Sequence, residues 1–218
     1  MKASNPFTNA EIAKSYDSWY YTKGLDSAGQ EKALLQWLIQ WYPNVGSILE
    51  IGCGTGYFLR WFDSQGMNAA GVDKSIFMIR EAKKKTEPGC ILGDATRLPV
   101  AAKSYDLVAL ITSIEFLSEP VLAVKEALRV ARKGIILGVL NKNSSLGKRY
   151  MRSGGPIWSK AQLYSLAELR RLLESAIDTK YKVIYRTTLW PCIHGALPLP
   201  WGGFIGMAVI LHSTGEEE

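Results

Sequence analysis

The chain has 218 residues, 47% hydrophobic and 21% charged, a length and apolar content that suit one substantial core, so residues 1–218 are expected to form a single domain. Its net charge of +6 and pI near 9.2 admit an acidic partner, yet the basic residues are scattered apart from short runs such as Lys83-Lys84-Lys85, the usual look of a solvated basic face. The three cysteines, Cys53, Cys90 and Cys192, show neither C-x-x-C spacing nor a His cluster, which speaks against a disulfide framework or a zinc site.

Residues 1–30 are polar with interleaved aromatics and read as a partly helical arm, a lid over a core formed by 31–218. The N-terminus lacks an apolar signal core, and no apolar run approaches the roughly 18 residues of a membrane span, so a soluble, cytoplasmic protein is expected. From Glu31 to Tyr42 the apolar residues recur at helical spacing, and Pro43 and Gly46 end that helix. Ser47–Ile51 reads as a buried strand, followed by glycines and an amphipathic helix carrying Phe58, Leu59, Trp61 and Phe62. A second strand spans Met67–Asp73, with Ser75 as cap of a helix from Ile76 to Lys85, and a third runs from Cys90 to Asp94.

The fourth strand, Tyr105–Thr112, is almost wholly apolar, and a helix starts near Pro120, a residue tolerated in a first turn. Strand five is Gly134–Leu140. The basic, glycine-containing stretch 141–156 reads as the longest loop before the end, and a helix carrying Leu166, Leu169 and Leu173 follows it. Strand six is Lys182–Trp190, and the final strand, Phe204–Leu211, pairs antiparallel with it because the connection 191–203 has no helical pattern. Seven strands alternating with helices predict an α/β fold, a mostly parallel sheet with an antiparallel last strand and helices on both faces. Its functional crevice lies at the carboxyl ends of the strands.

The strongest local signal is Leu49-Glu50-Ile51-Gly52-Cys53-Gly54-Thr55-Gly56, an acid closing a strand and three alternating glycines before a helix. A dinucleotide fingerprint, G-x-G-x-x-G, seats a pyrophosphate on the helix N-terminus. Here Gly56 comes one position early and Glu50 would face that anion. The segment resembles the first motif of the class I S-adenosylmethionine-dependent methyltransferases, E/D-x-G-x-G-x-G, and the resemblance covers Ser47 to about Leu140. It implies a Rossmann-like fold, S-adenosylmethionine as cofactor and S-adenosylhomocysteine as product.

By that resemblance Gly52, Cys53, Gly54 and Gly56 lie against the amino-acid part of the cofactor, and Glu50 orients the turn or accepts from the methionyl ammonium. Asp73, 17 residues beyond Gly56, is expected at the ribose hydroxyls with Lys74 and Met78 near the adenosine. A helix-capping role is the alternative for Asp73. Asp94 and Ala95 fall where the family binds the adenine. Thr112 opens the segment that lines the transferable methyl. Many relatives carry a histidine just before the position of Leu117, whereas this chain has Glu115 and Phe116. Glu115 is a candidate base or ammonium ligand, with a solvent-facing or helix-capping carboxylate as the alternative.

Tyr20 and His194 are the other candidates for taking an acceptor proton, His194 because the 191–203 connection could overhang the strand ends. Tyr16, Trp19 and Tyr20 resemble an aromatic segment that covers cofactor and substrate, or else they pack the arm down. No metal is implied: Asn141 is the one suitable ligand after strands four and five. In-line methyl transfer to a small or lipid-like acceptor, walled by the arm and the connections 141–165 and 191–203, is the reading of function. The alternatives are an RNA or protein acceptor met by Lys142, Lys148, Arg149, Arg152 and Lys160, and a non-catalytic cofactor-binding subunit.

Overall fold

The structure, a computed structural model, describes residues 6–85 and 89–211. The start of the arm, His212 and the acidic run Glu216-Glu217-Glu218 lie outside the described residues. In chain order the elements are α1 (Ala10–Ser15), α2 (Leu25–Ile39), β1 (Ser47–Ile51), α3 (Tyr57–Ser64), β2 (Asn68–Asp73), α4 (Ile76–Ala82), β3 (Gly89–Leu92) and β4 (Tyr105–Ile111). They continue with α5 (Pro120–Val130), β5 (Ala131–Leu140), α6 (Ser145–Ser153), α7 (Gly155–Trp158), α8 (Leu166–Ala176), β6 (Tyr181–Thr188) and β7 (Phe204–Leu211). Short 3₁₀ turns occupy Pro6–Thr8, Tyr16–Trp19 and Ile114–Phe116.

The seven strands form one sheet in the order β3-β2-β1-β4-β5-β7-β6, parallel except for β7, which pairs antiparallel with both β5 and β6. Alternation along each strand divides the core in two. Ile48, Leu107, Ala109, Ile111 and Ile136 face α2 and α3, while Leu49, Ile51, Val108, Leu110, Ile135, Leu137 and Val139 face α5 and α8. Because both faces are covered, β4 and β5 read as nearly continuous apolar runs. The strand order reverses between β1 and β4, and at that switch point their carboxyl ends leave a crevice.

Two expectations are corrected. Helix α2 begins at Leu25 rather than Glu31: Gly24 caps it and Gly29 sits inside it, where an added Cβ would meet nothing, so that glycine is no terminator here. The stretch 141–156 is not a loop. Ser144 caps α6 by accepting from the Gly147 amide at 2.9 Å, and Leu146 and Tyr150 turn inward while Lys148, Arg149 and Arg152 stay exposed. Gly147 packs its α-carbon against the Asn141 carbonyl, a contact no side chain could make. A glycine in a stretch that reads as a loop thus marks a close packing contact.

Candidate active site

A cavity of about 400 Å³ opens over the carboxyl ends of β1, β2 and β4. That is within the range of about 300–1,000 Å³ usual for small-molecule sites. Its floor is the glycine turn, where Gly52, Gly54 and Gly56 all have left-handed backbone, at φ +73°, +53° and +79°. The amides of Gly52 and Cys53 donate to the Val72 carbonyl at 2.7 and 3.2 Å, which fixes the turn to the end of β2. A Cβ on Gly52 would come within 2.5 Å of the Ser113 Cβ, so the positive φ and the close approach both require glycine there. Cys53 is buried beneath the turn, its thiol filling the space over Gly71.

Both carboxylate oxygens of Asp73 are engaged, one on the glycine turn and one at the start of α4. Oδ2 accepts from the Gly54 amide at 2.9 Å and Oδ1 from the Ser75 amide at 2.7 Å. Burial pushes its pKa up, and the amides of Ser75, Gly54 and Lys74 oppose that. Helix α4 is capped by Ser75, whose hydroxyl accepts from the Met78 amide at 3.2 Å, so Asp73 has no capping duty and faces the cavity beside Lys74 and Met78. Asp94 also lines the cavity with Ala95, but its oxygens are engaged. Lys74 Nζ donates at 2.7 Å and Thr96 donates through its amide and hydroxyl, which together hold Asp94 down to about 2.

Glu50 is 2% exposed and lines the same cavity, and burial holds its pKa well above the carboxylate range. Its Oε2 and the nearby Ser113 Oγ are buried without a hydrogen-bond partner, although a buried polar atom is normally satisfied. Two free acceptors beside a backbone-lined glycine turn are an arrangement that the N–H donors of an ammonium group complete.

The arm is fastened to this floor through Asp17, which is 5% exposed. Its carboxylate accepts from Thr55 Oγ1, from Arg60 at 3.0 Å and from Lys85 at 3.1 Å. Arg60 in turn donates to the Thr55 carbonyl at 2.9 Å. The rings of Tyr16 and Tyr20 follow, Tyr20 stacked on Tyr57 with centroids 3.9 Å apart. Burial holds both phenols well above the usual tyrosine range, so Tyr20 presents a neutral hydroxyl rather than a base.

A second cavity of about 340 Å³ adjoins the first, and Tyr16, Tyr20, Thr112 and Phe116 line both. Trp19 from the arm, Leu146 and Tyr150 from α6, and Ile157 and Trp158 from α7 form its walls. Thr112 stands at the junction with a left-handed φ of +46°. Among its lining residues one carboxyl stands out: Glu31 on α2, 4% exposed and pushed up to about 8 by burial and by the nearby charge of Glu115.

Three placements differ from expectation. Glu115 is neither solvent-facing nor a helix cap: it is 1% exposed, its Oε1 accepts from the Leu140 amide at 2.8 Å, and it lines neither cavity. Burial raises it to about 7. His194 lies outside both linings, exposed on the outer side of α2 with Nδ1 3.3 Å from Gln30 Nε2. The connection 191–203 walls neither cavity: Thr187 and Leu197 exchange both backbone hydrogen bonds at 2.9 Å, and its end is held on Asn141 after β5, whose Nδ2 donates to the Pro200 and Gly202 carbonyls at 2.8 Å.

Glu31 was missed as a site residue. Its signal was present: Ala28, Glu31, Leu35 and Leu38 share one helical face, and an acid within an apolar stripe is an anomaly.

The fold and this site define a Rossmann-like α/β protein built around a glycine turn and an acid at the end of β2. A sequence family described as methyltransferase domain matches residues 49–138. The chain is 29% identical over 168 residues to an uncharacterized protein of Methanocaldococcus jannaschii, covering 75% of this chain and 77% of that one. It is 29% identical over 130 residues to a demethylmenaquinone methyltransferase of Renibacterium salmoninarum, covering 57% of this chain and about half, 52%, of that enzyme. Among solved structures it resembles an S-adenosylmethionine-dependent methyltransferase from Thermotoga maritima described as a possible histamine N-methyltransferase. That match has a TM-score of 0.74 and 25% identity, over 93% of this chain and 98% of that one. The matched domain and this structural likeness support the class I S-adenosylmethionine-dependent methyltransferase superfamily. The chain is an enzyme of that class, with S-adenosylmethionine as its cofactor. Among the described residues no helix is long and apolar enough to cross a membrane.

Proposed function

We propose that the first cavity holds S-adenosylmethionine and that the second receives a small or lipid-like acceptor, methylated by in-line displacement. The observation that carries this reading is the junction of the two cavities at Tyr16, Tyr20, Thr112 and Phe116. The bound cofactor supplies an activated methyl on a sulfonium, so the protein's task is mainly positioning and exclusion of water. Gly52, Cys53 and Gly54 give backbone contact while Gly56, outside the lining, closes the turn into α3, Glu50 meets the ammonium, and Asp73 meets the ribose through the lone pairs its amide bonds leave free. Lys74, Met78, Asp94 and Ala95 line the adenosine side. Tyr16, Trp19 and Tyr20 close the acceptor side beneath the arm.

The apolar lining of the second cavity supports a small or lipid-like acceptor over a polyanion, and the demethylmenaquinone methyltransferase among the relatives acts on a small molecule. The basic side chains of α6 that an RNA reading would use point outward, away from that cavity.

A test separates the two cavities. Leu146→Trp fills the second while leaving the first intact. Affinity for S-adenosylhomocysteine, read by calorimetry, should stay within about twofold, while acceptor-dependent formation of S-adenosylhomocysteine across a panel of apolar acceptors falls at least tenfold. Turnover of the variant equal to the parent's, or no acceptor-dependent turnover by the parent protein, would overturn the assignment.

A further inference from the structure

Glu31 sits where a core residue belongs. It occupies the middle of the apolar face of α2, is 4% exposed and lines the second cavity. Placing an ionisable carboxyl there costs several kcal/mol that a leucine or glutamine would not. Little in the described structure offsets that cost: none of the hydrogen bonds among the described residues reaches its carboxyl, no lysine, arginine or histidine lines the cavity, and the charge of Lys32 is the smallest of the influences on it. Its neighbour Lys32 is committed elsewhere, with Nζ 4.1 Å from the centre of the Tyr57 ring. Among the described residues Glu31 has no hydrogen-bonded partner, and a molecule bound in the cavity can supply one.

The surroundings specify its charge. A second carboxyl, Glu115, lies close enough to act electrostatically on Glu31, so an acidic acceptor would meet repulsion from both. The walls are aromatic, with Tyr16, Trp19, Tyr20, Phe116, Tyr150 and Trp158 around the space. Ring faces attract cations and have no such preference for a neutral hydroxyl.

We propose that Glu31 is the acceptor-binding carboxylate of this enzyme, and that the acceptor is a primary or secondary amine carried on an apolar or aromatic body. This rests on the reading of the second cavity as the acceptor site. The amine arrives as an ammonium ion and pairs with the Glu31 carboxylate, the carboxyl's own proton leaving to solvent as the ion binds. One proton then passes from nitrogen to Oε of Glu31, leaving a neutral amine with its lone pair free and a neutral carboxylic acid. In a dry cavity that neutral pair replaces two buried charges, which makes the transfer favourable where it would not be in water. Glu31 keeps that proton when the product leaves and gives it up to solvent as the next ammonium ion binds.

The test uses the full chain saturated with S-adenosylhomocysteine, titrated by calorimetry with two matched pairs: tryptamine against tryptophol, and phenethylamine against 2-phenylethanol. In each pair the molecules differ only in amine or hydroxyl. The parent protein should bind at least one amine ten times or more tighter than its alcohol. Glu31→Gln should abolish that preference, with alcohol binding and affinity for S-adenosylhomocysteine within about twofold of the parent, which also shows that the variant folds. Equal binding of amine and alcohol by the parent, an amine preference that survives in Glu31→Gln, or no binding of any of the four probes would overturn the proposal. Failure to bind S-adenosylhomocysteine would instead overturn the underlying assignment of the first cavity.

Discussion

Replacing Glu31 by glutamine should make the protein more stable above neutral pH and should change how its stability depends on pH. In the unfolded chain this carboxyl ionises near its ordinary value of 4.5, while in the folded protein burial and the nearby Glu115 charge delay ionisation to about 8. Between those values the folded state holds a proton that the unfolded state has released, so stability is greatest at low pH and declines as pH rises. The slope is about 1.4 kcal/mol per pH unit, and the full loss on passing pH 8 is on the order of 5 kcal/mol. Glutamine keeps the shape and has no proton to lose. Urea denaturation of both proteins at pH 5, 6, 7 and 8 gives the comparison, and Glu115, present in both, largely cancels in the difference. The stability advantage of Glu31→Gln should grow by about 1.4 kcal/mol with each unit from pH 5 to 8. Parallel curves would show that Glu31 ionises normally in the folded protein, and the argument for a buried, unpartnered carboxyl would fail.

Further predictions concern the first cavity and its arm. Gly52→Ala forces a Cβ against Ser113 at a left-handed φ, and should cost about 2–3 kcal/mol of stability in urea and at least tenfold in affinity for S-adenosylhomocysteine. Gly54→Ala meets no atom within 4 Å and should cost only about 1 kcal/mol of stability, so equal losses in the two variants would contradict the packing at Gly52. Asp17→Ala leaves Arg60 and Lys85 without their shared buried anion. It should cost about 3 kcal/mol and speed proteolytic cleavage of the arm, and a loss below about 1 kcal/mol would show that Asp17 does not fasten it. His194→Ala removes an exposed side chain outside both cavities, so turnover should stay within about twofold. A tenfold drop would mean that the 191–203 connection reaches the acceptor after all.

The legible parts of the molecule were those set by local periodicity and short-range turns. The seven strands, the glycine turn after β1 and the acids ending β2 and following β3 could be read because each depends on a few consecutive residues. Ser75 was legible as a cap for the same reason. What escaped was determined across the chain. Glu31 reads as the polar first residue of a helix that starts after Gly29, and only the packing of α2 on β5 and β7 places it inside. Glu115 was open to opposite readings until the end of β5 supplied its partner, the Leu140 amide. Glycines misled over 141–156, where Gly147 permits a close contact rather than a flexible link. His194 sits on a connection whose path is set by pairing with β6, and nothing near it in sequence reveals that.

The most direct measurement is a calorimetric titration of the purified, cofactor-stripped protein with S-adenosylmethionine, S-adenosylhomocysteine and NADH, repeated on Asp73→Ala. The account predicts micromolar binding of both sulfur compounds, no binding of NADH, and a loss of about 1.5–3 kcal/mol in the variant, the usual scale for a hydrogen bond to a charged group. Tight binding of NADH, or affinity for the sulfur compounds unchanged by removal of Asp73, would contradict the assignment of the cavity over β1, β2 and β4.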